Sequence, residues 1–338
     1  MKFKNRGDCV VLEEDVFKTR GDGSEFGDWV WWFWLFFLDD PSVVDKPRQM
    51  AVIWSIKDDS SIKCNGSVFN FDTQSEDAEG VVASWYFDGE KMHHDFLLEK
   101  SYMDIGPGSL GTEGEVPTKF CIDGNDCSVS IGKDFHFKAK VCQDYDFAIN
   151  STSSGEYPLG MNYSMLRSNR LGLKGEIKEE AVEGSAYFQR VDVNAPTPSW
   201  YWGIFHFENG GFLDYYKPHI FGKSLKEEIA FYDGNKTHEF SEVSVDIEEK
   251  GELPSFHISA EAESGNKKIN FTVRPYSKAS WKFEKKVARI IPTELIYREY
   301  PAKISQLKLV DKKKEWKITL DNLGSSVGNA EYTTGFLL

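Results

Sequence analysis

Trp200, Tyr201, Trp202, His206, Asp214, Tyr215, Tyr216 and His219 crowd into SWYWGIFHFENGGFLDYYKPHI, the segment Ser199 to Ile220. A carboxylate and two imidazoles among large aromatic rings suit a site that encloses an apolar molecule and moves a proton within it. Asp214 stands between Leu213 and Tyr215, where a carboxylate either finds a donor or has its pKa raised. A raised pKa suits a proton donor; a bond from a tyrosine hydroxyl is the structural alternative. His206 is the second candidate acid or base, against the alternative of a core histidine bonded to a neighbouring backbone. Trp200 and Trp202, two residues apart, share one face of a strand either as ligand walls or as ordinary core.

Which of these side chains meet depends on the turn between them. Asn209-Gly210 favours a two-residue type I′ turn, which pairs Glu208 with Gly211 and His206 with Leu213. Trp200, Trp202 and His206 then share a face with Tyr215 and His219, while Asp214 points the other way beside Phe205 and Tyr216. A three-residue loop would instead set His206 opposite Asp214 as an acid/base pair. The first register is the expectation. Asp214 and His206 are the catalytic candidates, and Trp200, Tyr201, Trp202, Tyr215, Tyr216 and His219 the ligand contacts.

Other chemistries find little support. His93-His94-Asp95 puts adjacent histidines on opposite faces of a strand, and no further ligand stands at metal spacing, so no metal is expected. The glycine-rich loop Gly106 to Gly114 lacks the Lys-Ser/Thr ending of a phosphate cradle, and no nucleotide or protease motif occurs, so no cofactor is expected. A formal charge of −14 repels a phosphate backbone and argues against nucleic acid. The five cysteines are scattered and no secretory signal pattern precedes them, which favours reduced thiols in the cytoplasm, although Cys121 and Cys127 flank a hairpin turn and could meet.

The elements that position the candidates are strands. WVWWFWLFFL, Trp29 to Leu38, is too short for a membrane helix, which needs about 20 residues. Its aromatic content suits a pleated surface, and its continuous apolarity implies cover on both faces. Trp32 and Trp34 within it are further ligand-contact candidates. Alternating apolar and polar runs recur to the end of the chain with turn residues between them, as in an antiparallel barrel or sandwich. The polar stretch Asn150 to Leu173 reads as a crossover between domains 1–174 and 175–338. The best helical candidate is Pro292 to Arg298, with a strand as the alternative.

Val182 to Ile220, together with GDWVWWFWLFFLDD at Gly27 to Asp40, resembles the signature of the carotenoid 1,2-hydratase (hydroxyneurosporene synthase) and AttH-like family. The resemblance spans both halves of the chain. It implies an all-β fold: two lipocalin-like (calycin) antiparallel β-barrel domains packed together, with little helix. Where many relatives carry Asp-His-Glu after an aromatic residue, this chain carries Phe188-Gln189-Arg190-Val191, which makes Gln189 a ligand-contact candidate and leaves the hydratase chemistry open. The family includes carotenoid hydratases and fungal relatives that form rings. Their chemistry needs an acid that protonates a double bond, aromatic faces for the resulting cation, and a dry cavity, but no cofactor. Two functions follow: a cofactor-independent enzyme that hydrates or cyclises an isoprenoid or polyene, or a lipocalin-like carrier of an apolar ligand. The expected partner is a hydrophobic small molecule; peripheral membrane contact and oligomeric state stay open.

Overall fold

The computed structural model describes residues 16–18, 29–39, 45–57, 60–72, 78–124, 126–141, 151–156, 162–220, 222–287 and 291–337. Of the described residues 74% are in strands and 2% are helical, so the β reading of the aromatic runs holds. Pro292 to Arg298, the best helical candidate, lies inside the long strand Ile291–Asp311, where pairing on both sides overrides local preference. No helix among the described residues is long and apolar enough to cross a membrane.

The chain forms two compact units: Met1–Gly89 with His93–Pro196 and Leu338, and Glu90–Met92 with Thr197–Leu337. The boundary expected at residue 174 falls within the strand Asn162–Ile177. That segment is polar, yet it finds ladder partners on both sides, and Glu180–Asn194 after it pairs with Trp29–Asp39. Both strands therefore belong to the first unit.

In the first unit ten antiparallel strands close into a barrel. Closure is made where Phe135–Val141 meets Asn162–Ile177, with Phe135 opposite Ile177 and Val141 opposite Leu171. Trp32, Trp34, Phe36 and Leu38 point into the interior cluster with Trp54, Phe120, Phe137 and Phe188. Trp34 packs on Phe188 at 4.8 Å, Phe120 at 5.2 Å and Phe36 at 5.7 Å between ring centroids. Val16–Lys18 joins this packing: Trp32 Nε1 donates to Val16 O at 2.7 Å, Phe17 lies 5.0 Å from Phe120, and Arg190 bonds Lys18 O. Trp32 and Trp34 are therefore core residues that fill the barrel rather than walls of an open hollow. Phe33, Leu35 and Phe37, on the other face, are buried as well, as the unbroken apolar run implied.

In the second unit nine strands follow one another in the order Thr237–Phe240, Glu228–Tyr232, Phe212–Ile220, Ser199–Phe207, Ser326–Phe336, Ile291–Asp311, Lys267–Pro275, Ser255–Glu261 and Glu242–Glu248. The first and last of these are separated in the chain by Ser241 alone, so the path curves back toward its start. Its core holds Phe205, Leu213, Tyr215, Phe231, Phe256 and Phe271.

Candidate acid site

The hairpin from Ser199–Phe207 to Phe212–Ile220 turns on three residues. Phe207 N donates to Gly211 O at 2.9 Å and Gly210 N to Phe207 O at 3.0 Å, with Gly210 in the left-handed region at φ 88°. Asn209 locks the loop, its Oδ1 accepting from Gly211 N at 2.9 Å and its Nδ2 donating to Asp233 O at 2.8 Å. His206 consequently faces Phe212, Ile204 faces Asp214, and Trp202 faces Tyr216. Neither expected pairing, His206 with Leu213 or His206 with Asp214, occurs. A slip of one residue exchanges the faces of a strand. Asp214 and Tyr216 join Trp200, Trp202 and His206, whereas Tyr215 and His219 lie opposite, with Tyr201 and Phe205. Gly203 permits the close approach: a Cβ there would stand 2.5 Å from the Tyr215 ring and 2.9 Å from the Asn329 carbonyl.

The face that carries Asp214 continues across the sheet. Glu331 stands opposite Trp202 and Asn329 opposite Ile204; Glu299 then faces Glu331 and Tyr297 faces Thr333; Trp281, on Ala279–Val287, faces Tyr297. These rows assemble a carboxyl cluster. Trp202 Nε1 donates to Asp214 Oδ1 at 3.0 Å and Trp200 Nε1 to Glu331 Oε2 at 2.6 Å. Asn329 Nδ2 donates to Glu299 Oε2. The Tyr297 hydroxyl lies within hydrogen-bond reach of Glu331 Oε1, at 2.5 Å, and of Glu299 Oε1.

One phenol has one proton to give. For both Tyr297 contacts to be hydrogen bonds, one of the carboxyls must be an acid that donates back. Electrostatics agrees. Glu299 and Asn329 are fully buried and Glu331 is 4% exposed. Burial, then repulsion from Glu331, raises the Glu299 carboxyl well above the ordinary range. Burial raises Glu331 to about 7, against bonds from Tyr297 and Trp200 that favour its charge; Asp214 adds a smaller upward push. Two carboxyls in one buried site sharing a proton are a proton donor held in reserve near neutral pH.

The remaining candidates divide as follows. His206 is buried on the acid-bearing face, one row from Asp214. Tyr216 is half-buried beside Trp202. Tyr201 lies between His219, at 5.0 Å, and Tyr332, at 5.1 Å, and burial pushes its phenol up to about 12. Tyr215 is core, 5.8 Å from Phe271. Gln189 belongs to the first unit, opposite Phe33, where it accepts the Tyr187 hydroxyl at 2.8 Å on the side away from Trp32 and Trp34. His93 pairs with Asp88 at 2.7 Å, and no metal-holding cluster occurs among the described residues. Cys121 faces Ser128 while Cys127 faces Ile122, and both are free thiols; Cys9 and Cys142 lie outside the described residues. A cavity of about 350 Å³ on the second unit is lined mostly by polar side chains, among them Asp246, His257, Asn270 and Lys308, and includes no residue of the hairpin. Sequence reasoning missed Glu299, Glu331, Tyr297, Asn329 and Trp281. The available signal was the alternation Asn329-Ala330-Glu331-Tyr332-Thr333, which marks one polar strand face.

No protein-family model matches the chain, and no curated protein is similar to it. Solved structures match its fold. An AttH-like protein from Nitrosomonas europaea superposes with a TM-score of 0.57 over 97% of each chain, at 10% identity. The chain has the AttH-like fold. CghA shares it, with a TM-score of 0.53 over 92% of this chain and 89% of that one at 10% identity; CghA with Sch210972 gives 0.51 over the same shares at the same identity. Its two lipocalin-like β units are thereby established as a known architecture at sequence identities that speak for fold alone.

Proposed function

We propose that the protein is a cofactor-independent enzyme that protonates a carbon–carbon double bond of a hydrophobic isoprenoid or polyene-type molecule, with Glu299 and Glu331 as its acid. The observation that carries this reading is the Tyr297 hydroxyl placed within bonding reach of both carboxyls. The acid transfers its proton to one alkene carbon, whose π electrons form the new C–H bond and leave a cation on the neighbouring carbon. The rings of Trp200 and Tyr297, 5.6 Å apart, offer π faces to that cation, and Asp214 adds negative charge. In hydration, water adds to the cation and returns a proton to the carboxylate; in cyclisation, a second double bond adds and the proton is lost from carbon. His206, on the same face, is the second candidate base.

One observation favours the alternative of a non-catalytic carrier: each oxygen of Glu299 and Glu331 already has a protein partner, as in a structural bracket. Incubation with a polyene in D2O separates the two. An enzyme yields product with deuterium on carbon, and Glu299→Gln abolishes the label; unlabelled ligand recovered from the wild-type protein supports carriage. We also propose a cytoplasmic location, which the free thiols of Cys64, Cys121 and Cys127 fit.

A further inference from the structure

Three indoles lie on the acid-bearing face. Trp200 and Trp202 each donate to a carboxylate. Trp281 is 2% exposed, yet its Nε1 has no acceptor among the described residues. Its ring stacks on Tyr297 at 5.6 Å with 19° between planes, so it adjoins the residue that joins the two acids. An indole N–H can only donate, and leaving it unmade in a buried place is costly. The oxygens of both acids are met by Tyr297, Trp200 and Asn329, and none of them reaches Trp281 Nε1.

We infer that Trp281 anchors an oxygen of the substrate, so that the site takes an apolar alkene bearing a hydrogen-bond acceptor such as a carbonyl, and discriminates against the bare hydrocarbon. The inference rests on the acid-site reading and adds a substrate class to it. Trp281 is on the strand next to Glu299, one row away, a separation of roughly 5–8 Å between neighbouring positions of a sheet. The anchored oxygen is thus a short carbon chain away from the alkene carbon that receives the proton.

Farnesal and β-farnesene, isoprenoids with and without a carbonyl, test this by equilibrium dialysis. The wild-type protein should bind farnesal about tenfold more tightly, the scale of one buried hydrogen bond. Trp281→Phe should bring the two affinities to within about threefold. Because that variant also removes ring volume, 3-benzothienylalanine at position 281, which keeps the bicyclic shape without the N–H, should do the same. Equal affinities in the wild-type protein, as expected if water meets the N–H, overturn the anchor and leave the acid site standing. Persistence of the preference in both variants overturns it too. Uptake of neither probe by the wild-type protein removes the acid-site reading along with the anchor.

Discussion

Trp32-Phe33-Trp34 and Trp200-Tyr201-Trp202 share one spacing and meet different fates. In the first unit the two indoles point into a barrel packed with rings, and Trp34 Nε1 has no acceptor among the described residues. In the second unit both indoles point at carboxylates and bond them. The difference lies in the neighbouring strands. Opposite Trp34 stand Phe188 and Val52; opposite Trp202 stand Tyr216 and Glu331. An aromatic pair at alternate positions therefore specifies a face, and the cross-strand residues decide whether that face is core or chemistry.

The largest expected effect breaks this comparison at its acid end. Glu299→Gln keeps the shape of the cluster but has no acid proton to give, and turnover of a polyene should fall by about 10²–10⁴-fold, read as product formed per unit time. Unchanged turnover would remove Glu299 from the mechanism. At the packed end, Phe120→Ala empties a ring site among Phe17, Trp34, Trp54 and Phe188, and unfolding in urea should show a loss of about 3–5 kcal/mol.

A smaller effect appears in pH. Folded Glu331 keeps its proton up to about pH 7 against an ordinary value of 4.5, so the folded state binds more protons than the unfolded state across that interval. Stability contributed by this group is complete below pH 4.5 and is lost as pH rises through 7. Glu331→Gln should flatten the decline of the urea midpoint between those limits; parallel declines in both proteins would assign the effect elsewhere. The smallest effect sharpens the packed side of the second unit. The Tyr215 hydroxyl is fully buried without a partner among the described residues, so Tyr215→Phe should change stability by less than about 1 kcal/mol, and in the favourable direction.

Local pattern made the strands legible: Trp29 to Leu38 announces a strand covered on both sides, and Ser199 to Ile220 announces a hairpin. The register did not follow, because Asn-Gly fits more than one turn. The choice was made by Asn209 reaching Asp233, a contact between distant parts of the chain. The acid pair was hidden for a related reason. Glu299 and Glu331 lie 32 positions apart in the chain, and Trp200 and Trp202 come from a third strand far upstream; only the order of the sheet brings them together. Alternation in Asn329 to Thr333 has the pattern of an ordinary wet face, and burial makes it a shielded one.

The pairing of Trp29–Asp39 with Glu180–Asn194 has a consequence for the chain as it is made. The most apolar strand of the protein leaves the ribosome roughly 150 residues before the partner that seals one of its edges, a wait on the order of 10–30 s at ordinary rates of synthesis. Through that interval WVWWFWLFFL offers open backbone groups and bare rings to any neighbouring nascent chain. Productive yield should accordingly depend on chaperone supply and on translation speed over residues 40 to 194 more than on the stability of the finished barrel.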